Sequence, residues 1–141
     1  MKNTSELIFV IVPFYNEEKL IGSLVETFKK QTDQVFHVIY VNNNSTDTTV
    51  SVLQEAQKQS RFSYEIIEEK IKGTGSASDA GFRYAINTYG AVYLARTDAD
   101  CLPDFKWVHS IRENLILDKL EFIAGIIKPR TDDVPLTYFG G

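Results

Sequence analysis

Residues 7–18 read LIFVIVPFYNEE, and this segment indicates the class of fold. Its opening residues are apolar and mostly β-branched, which is typical of a central strand in a parallel sheet that is buried on both faces. We expect Pro13 to end this strand. Asn16 is expected to cap the helix that follows, because Glu17 and Glu18 would then lie in the first turn, where the helix dipole favours acidic residues.

The same order of strand, polar loop and helix recurs along the rest of the chain. Helical spacing of apolar residues predicts helices between the strands. Apolar and polar residues alternate more in the third strand than in the others, which is typical of a strand near the edge of a sheet. Ser45 or Thr46 is expected to cap the second helix. Gly90 should end the third helix, and Pro103 should occupy the first position of the fourth. The further strands are predicted at residues 35–41, 62–67, 91–95 and 122–127.

This alternation predicts an α/β domain with a mostly parallel sheet, flanked by helices and joined by right-handed crossovers. At 141 residues, the chain has the length of a single domain, residues 1–141. It stops after an aromatic pair without a polar tail, and we expect it to be truncated at its C-terminus. Small residues on the third helix should let that helix approach the sheet closely; this face carries Ala77, Ala80, Gly81, Tyr84 and Ala85.

The bulk composition excludes some classes of function. A formal net charge of −4 argues against nucleic acid as the main partner, because phosphate backbones are usually met by a basic face. The single cysteine, Cys101, permits no intrachain disulfide, fits a reducing compartment and lacks the partners of a nucleophile. No segment has the layout of a secretion signal or the length of a membrane span. We therefore expect a cytoplasmic chain, whose longer parent protein could still be membrane-associated through segments beyond Gly141.

Polar loops follow directly after four of the predicted strands. In an open α/β sheet the carboxyl ends of the strands form the ligand crevice. The loops therefore predict a site for a polar, phosphorylated ligand with a metal ion. They read PFYNEE at residues 13–18, NNNSTD at 42–47, KGTG at 72–75 and DAD at 98–100.

Two of these loops offer side chains suited to particular parts of such a ligand. Asp98 and Asp100 can aim two carboxylates at one region, and Mg²⁺ or Mn²⁺ prefers oxygen ligands. The alternative is that Asp100 only caps the next helix. Asn42 and Asn43 present donors and acceptors that suit the edge of a nucleobase, although asparagine is also a common turn residue.

Other polar residues have weaker or structural interpretations. Residues 72–76 resemble a phosphate cradle, in which glycines and a helix N-terminus supply N–H groups, but they could equally form a flexible loop. Asp79 and Arg83 are spaced for an ion pair on one helix face. His37, inside the second strand, and His109, inside a helix, are interpreted as structural.

Together, the four loops resemble those of family 2 glycosyltransferases with the GT-A fold, a Rossmann-like nucleotide-binding fold. They occur in the order and spacing of that family, and the resemblance covers nearly the whole chain. The segments that carry it are VPFYNEE at residues 12–18, VNNNSTDTT at 41–49, GTGSASDAG at 73–81 and TDADCLP at 97–103.

The resemblance implies that the chain is the donor-binding half of an enzyme. Such an enzyme transfers a sugar from a UDP- or GDP-type nucleotide-diphosphate sugar to an acceptor hydroxyl, generally with inversion. The acceptor, whether a saccharide, a lipid or a protein, is not indicated. The nucleoside would be held by Pro13, Tyr15, Glu17, Asn42 and Asn43.

The resemblance also implies a role for a divalent cation, Mn²⁺ or Mg²⁺. Asp100 would bind this cation, which would bridge the diphosphate, and Asp98 would face the ribose or the sugar. The cation would stabilise the departing nucleoside diphosphate as a Lewis acid. Lys72 would assist at the same place.

The sequence departs from the family in three places. Residues 42–44 are NNN where the family usually has Asp-Asp-Gly, which keeps hydrogen bonding but removes negative charge. Ser78 and Asp79 replace an Arg-Asn pair that often follows the glycine-rich loop. The family's catalytic base lies well C-terminal to the DxD motif, and Asp132 and Asp133 come too early to match it. We therefore expect this chain to lack the base and to be inactive alone.

Three other functions compete with this interpretation. A non-catalytic nucleotide-binding module of the same fold would share every motif. A nucleotidyltransferase would want a glycine-rich, basic segment after the first strand, where this chain has PFYNE at residues 13–17. A response-regulator-like domain would need an acidic pair after the first strand and a phosphorylatable aspartate after the third. Those places hold Glu17-Glu18 and Lys72-Gly73.

Overall fold

The computed structural model of the chain describes residues 6–117. The strand predicted at residues 122–127 lies outside the described residues, as do Asp132 and Asp133. The strands are β1 (Ile8–Phe14), β2 (Phe36–Asn42), β3 (Ser63–Glu68) and β4 (Tyr93–Arg96). The helices are α1 (Ile21–Lys29), α2 (Thr49–Ala56), α3 (Thr74–Tyr89) and α4 (Trp107–Arg112), and a π-helical turn (Glu113–Leu117) follows α4.

The four described strands form one parallel sheet in the order β3-β2-β1-β4. β1 and β2 occupy its centre, and every residue of both strands is buried. β3 pairs only with β2 among the described strands and is partly exposed, as its alternating sequence predicted. The parallel strands with helices between them confirm the predicted α/β class.

Helices cover both faces of the sheet. Val10 and Val38 share one core with buried residues of α1, α2 and α4, whereas Phe9 and Ile11 share another core with α3. Alternate residues of β1 belong to different cores because successive side chains of a strand point to opposite faces. Within residues 6–117, no helix combines the length and the apolar composition that crossing a lipid bilayer requires.

Two glycines of the α3 region have roles that the sequence predicted. A Cβ atom added at Gly81 would lie 2.4 Å from Cγ2 of Ile11 and 3.0 Å from Cγ2 of Val41, so the helix approaches the sheet more closely than a side chain allows. Gly90 follows the last residue of α3 with a φ of 65°, the left-handed conformation that commonly ends helices. Both the close packing and the end of the helix are confirmed.

The prediction that Pro13 ends β1 is wrong, because the strand continues to Phe14. The carbonyl of Ile11 accepts a hydrogen bond from the backbone N–H of Thr97 at 3.1 Å, so the polar groups of Ile11 face β4. Backbone polar groups of residues two apart in a strand face the same side, so the backbone nitrogen and carbonyl of Pro13 also face the side of β4. Pairing with β4 has ended there, at Ile11 and Arg96. The missing N–H of proline therefore removes no ladder hydrogen bond.

Three predicted helix starts are also wrong. α1, α2 and α4 begin later than expected, and the N-cap residues of these three helices make no side-chain cap hydrogen bond. The polar side chains expected to cap α1 and α2 bind the neighbouring loop instead, as described below. The residues expected at the three starts, which all lie outside the helices, are Asn16, Ser45, Thr46 and Pro103.

We predict that Gly81→Ala destabilises the protein by about 1–3 kcal/mol, because the added Cβ would overlap the methyl group of Ile11. The free energy of unfolding in urea measures the change. Gly22→Ala is the matched control: Gly22 lies in α1, and an added Cβ would meet no described atom within 4 Å. The helix propensity of alanine should leave that variant equally or more stable. Equal destabilisation by both substitutions would contradict the close-packing interpretation.

Candidate functional site

An open cleft of about 290 Å³ lies at the carboxyl end of the sheet. It is formed by the end of β1 and the loop after it, by the loops after β2 and β4, and by the start of α3. Its lining residues are Pro13, Phe14, Tyr15, Glu17, Asn43, Thr74, Ala77, Asp98, Ala99 and Asp100.

The cleft opens where the strand order of the sheet reverses. β2 and β3 extend the sheet from one side of β1, and β4 pairs with the other side. β1 continues beside β2 as far as Phe14, whereas its pairing with β4 ends at Ile11. Reversal points at the carboxyl ends of parallel strands are where open α/β sheets bind ligands. The cleft therefore has the location that the polar loops predicted.

Asp98 and Asp100 bring two carboxylates together in the cleft. One oxygen of each and the sulfur of Cys101 lie within 4.8 Å of one another. Nη2 and Nε of Arg96 donate hydrogen bonds to Oδ1 of Asp98 at 2.9 and 3.2 Å, which orients that carboxylate. Asp100 is exposed. The geometry agrees with the expectation that the DxD spacing aims both side chains at one region.

The chemistry of this group suits a hard divalent cation. Cys101 is buried, and burial raises the pKa of its thiol to about 11. A thiol that stays protonated at neutral pH is a poor nucleophile, and sulfur is a soft donor that hard divalent cations do not prefer. The remaining donors are carboxylate oxygens, which Mg²⁺ and Mn²⁺ prefer, so Asp98 and Asp100 fit such an ion.

The loops after β1 and β2 are joined by hydrogen bonds centred on Asn16. Its Oδ1 accepts from the backbone N–H groups of Thr46 at 2.7 Å and Asp47 at 3.2 Å. Its Nδ2 donates to Oγ1 of Thr46 at 3.3 Å, and its backbone N–H donates to Oγ of Ser45 at 3.0 Å. Asn16 has a φ of 49°, a left-handed conformation that asparagine adopts more readily than most residues. We call this set of contacts between Asn16 and residues 45–47 the loop clasp.

Further hydrogen bonds extend the loop clasp on both sides. The backbone N–H of Glu17 donates to Oγ1 of Thr49 at 2.8 Å, and that of Glu18 donates to Oδ2 of Asp47 at 3.3 Å. Desolvation opposes ionisation of Asp47, but hydrogen bonds from Thr49 and from the Glu18 backbone lower the pKa of its carboxyl. The loop that carries Tyr15 and Glu17 into the cleft is thus attached to the start of α2.

The structure places most of the predicted site residues together, but not all. Asn42 and Lys72 do not line the cleft. Nδ2 of Asn42 donates to both carboxylate oxygens of Glu68, at 2.9 and 3.2 Å, and its Oδ1 accepts from the N–H of Ser45 at 3.1 Å. Lys72 is exposed in the loop before α3. The predicted residues that do line the cleft are Pro13, Tyr15, Glu17, Asn43, Asp98 and Asp100.

The sequence placed Thr74 in one of the four predicted site loops without giving it a role of its own, and it did not assign Ala77 to the site, although both line the cleft. They lie three residues apart in α3, on the same face as Gly81, because residues three and four apart are neighbours on a helix. The helical spacing of these small residues from the glycine-rich loop onward was the signal that could have identified them.

The remaining polar residues singled out from the sequence lie outside the cleft. Asp79 and Arg83 form the expected ion pair, at 2.7 Å. His37 is buried, and its Nε2 lies 2.7 Å from Oε2 of Glu65. His109 lies in α4. Neither histidine lines the cleft, in agreement with their structural interpretation.

Comparison with known proteins relates the whole described fold to one family. A family model described as Glycosyl transferase family 2 matches residues 9–138. The chain is 33% identical over 112 residues to the glycosyltransferase GlyG of Streptococcus pneumoniae, covering 79% of this chain and 33% of that protein. It is 28% identical over 147 residues to the UDP-N-acetylglucosamine–dolichyl-phosphate N-acetylglucosaminyltransferase of Methanococcus voltae, covering 94% of this chain and 57% of that protein.

A solved structure shares the fold. The mannosyltransferase PcManGT from Pyrobaculum calidifontis, in complex with GDP-Man and Mn²⁺, matches with a TM-score of 0.67 and 25% identity, covering 77% of this chain and 32% of that one. The fold is therefore the Rossmann-like α/β arrangement of GT-A glycosyltransferases. The chain spans about a third of the length of the first three curated relatives it matches, at 31%, 33% and 35%. Because the family model matches most of the chain and the relatives are glycosyltransferases, this chain belongs to glycosyl transferase family 2.

Proposed function

We propose that this chain is the donor-binding part of an inverting, metal-dependent glycosyltransferase. The enzyme would transfer a sugar from a UDP- or GDP-type nucleotide-diphosphate sugar to an acceptor hydroxyl. The observation that carries the proposal is the cleft, which combines Tyr15 and Glu17 from the β1 loop with the acidic pair from the β4 loop. Family membership supports the reaction class. The donors named for two relatives, UDP-N-acetylglucosamine and GDP-Man, support the class of donor.

The β1 loop suits the nucleoside end of such a donor. Tyr15 lines the cleft, yet 56% of its surface is exposed, so its ring offers a face on which a base can stack. Glu17 lies beside it in the cleft, and a carboxylate there can accept hydrogen bonds from a base or a ribose. We assign Pro13, Tyr15 and Glu17 to the nucleoside.

The acidic pair suits the diphosphate end only when a cation is present. Two carboxylates in one cleft repel a diphosphate by like charge, and a divalent cation bound beside them would offset that repulsion. We assign this cation to Asp100, and we assign Asp98, which Arg96 orients, to the ribose or the sugar. When bound, the cation would supply Lewis-acid stabilisation of the charge on the departing nucleoside diphosphate.

Inversion also requires a general base that accepts the proton of the acceptor hydroxyl. We do not assign this role to any of residues 6–117, since the carboxylates that line the cleft are all assigned to the donor or its metal. The relatives are about three times as long as the matched part, which leaves room for a base and an acceptor site elsewhere in the enzyme.

We predict that Mn²⁺ tightens the binding of UDP or GDP to this chain, and that Asp100→Ala removes the metal-dependent part. Isothermal titration calorimetry with and without Mn²⁺ measures both effects. The expected loss is about tenfold or more in affinity, or about 1.4 kcal/mol. Asp79→Ala removes an exposed carboxylate outside the cleft and should change neither affinity. Equal wild-type affinity with and without metal would contradict the metal dependence.

We also predict that Asn16→Ala weakens nucleotide binding several-fold and lowers the free energy of unfolding by about 1–2 kcal/mol, because the loop clasp loses its side-chain hydrogen bonds. Calorimetry and urea denaturation measure the two changes. Gln59→Ala is the control, since Gln59 is exposed in the turn that follows α2 and also has a positive φ, 65°. If Asn16→Ala reduces stability but leaves nucleotide affinity intact, the clasp does not place Tyr15 and Glu17.

We predict finally that this chain binds the donor without turning it over. Release of nucleoside diphosphate from UDP- and GDP-sugars can be assayed for this chain and for a protein of the relatives' length that contains it. Release by the longer protein alone is expected. Release by this chain alone would show that it holds a complete catalytic site. Turnover by neither protein would favour a non-catalytic nucleotide-binding module.

A further inference from the structure

We propose that Asn43 is a positioning residue, which holds the glycine-rich loop at the edge of the donor cleft through both ends of its side-chain amide. The glycine-rich loop comprises residues 69–75, of which residues 69–73 connect β3 to α3 and the last two begin α3. This inference rests on the proposed function, because it concerns how the same cleft is shaped for a nucleotide. It gives Asn43 a role in addition to the base contact that its sequence context suggested.

The amide of Asn43 is occupied by the glycine-rich loop. Nδ2 donates to the backbone carbonyl oxygens of Glu69 at 2.9 Å and Ile71 at 2.8 Å, and Oδ1 accepts from the backbone N–H of Gly73 at 2.9 Å. The side-chain orientation follows from these partners, since two carbonyls need donors and one N–H needs an acceptor. Both amide hydrogens therefore point at the protein backbone, so a base could reach only the second lone pair of Oδ1.

The contacts of Asn43 control the start of α3. Gly73 has a φ of 123°, which side-chain-bearing residues rarely adopt, and its N–H is the one that Oδ1 of Asn43 holds. The next residue, Thr74, begins α3 and lines the cleft. Asn43 is 7% exposed, so its three hydrogen bonds are shielded from competing water. Moving this side chain would therefore move the cleft-lining turn of α3.

The amide, and not only a polar group, is required at this position. Aspartate is isosteric with asparagine, but its carboxylate would face the carbonyl oxygens of Glu69 and Ile71 without a hydrogen to donate. The two carbonyl oxygens would lose their hydrogen-bond donor and would repel the negative charge of the carboxylate. An acidic residue at position 43 would thus be incompatible with the loop as it lies in this chain.

The test compares the two roles through their dependence on the base. Calorimetry with UDP and with GDP, each with Mn²⁺, is carried out on the wild type, Asn43→Ala and Asn43→Asp. A residue that shapes the cleft should lower both affinities by the same factor, roughly tenfold for loss of such buried bonds. A residue that reads the base should lower one affinity far more than the other, because the two bases present different edges.

Amide hydrogen exchange tests the loop contact without any ligand. Exchange of the Gly73 amide, followed by NMR, should be roughly tenfold faster in Asn43→Ala, whereas amides in β1 and β2 should keep their protection. Asn87→Ala, which changes an exposed asparagine elsewhere on α3, should alter neither exchange nor affinity.

A second variant displaces the same loop without changing Asn43. Gly73→Ala places a side chain at a φ of 123° and should reproduce the equal losses of UDP and GDP affinity. Gly90→Ala strains a glycine of φ 65° at the far end of α3 and should leave both affinities unchanged. This pair keeps the proposal testable if the Asn43 variants do not fold.

The outcomes separate the two proposals. Equal losses for both nucleotides, with faster exchange at Gly73, support the positioning role. Unchanged exchange at Gly73, or a loss confined to one nucleotide, would overturn that role while leaving the donor cleft intact. A wild type that binds neither UDP nor GDP in the presence of Mn²⁺ would overturn the proposed function and, with it, the role of Asn43 in shaping a donor site.

Discussion

The extension of β1 beyond its pairing with β4 is the constraint on which the cleft depends. As far as Ile11 the strand is paired on both sides, and from there to Phe14 it is paired with β2 alone. The N–H of Thr97 still binds the carbonyl of Ile11, and the residues after it carry Asp98 and Asp100 to the opposite side of the gap. If β4 ran beside β1 to its end, backbone would fill the space that the cleft occupies.

Polar side chains at the strand ends mainly hold other loops. Asn16 binds the loop after β2, Asn42 binds Glu68 at the end of β3, and Asn43 binds the glycine-rich loop. Asn42 and Asn43 are buried, and buried polar groups are stable only when they are hydrogen-bonded. These contacts join the loops after β1, β2 and β3 into one frame, which presents Tyr15 on one side of the cleft and the first turn of α3 on another.

The shape of the cleft suits a nucleotide, whereas its negative charge opposes one. Its backbone and its aromatic ring suit a nucleotide, but the carboxylates that line it, those of Glu17, Asp98 and Asp100, oppose a diphosphate. Arg96 is bound to Asp98 and offsets part of this charge. A divalent cation held by Asp100 would offset the negative charge of these carboxylates, which is why metal and nucleotide are expected to bind together.

The fold class, the position of β3 at the edge of the described sheet, the close packing at Gly81 and most of the cleft residues could be predicted from the chain alone. These features follow from hydrophobic periodicity and from the rule that polar loops after parallel strands share one edge of the sheet. The helix starts and the role of Asn16 could not be predicted, because an asparagine side chain can cap its own helix or bind a neighbouring loop at similar energy. The position of Pro13 inside β1 could not be predicted either. Its missing N–H would remove a ladder hydrogen bond beside a paired strand, but it removes none here, because pairing with β4 has already ended. Which of these alternatives is realised depends on the groups that folding brings within hydrogen-bond distance, and local sequence does not contain that information.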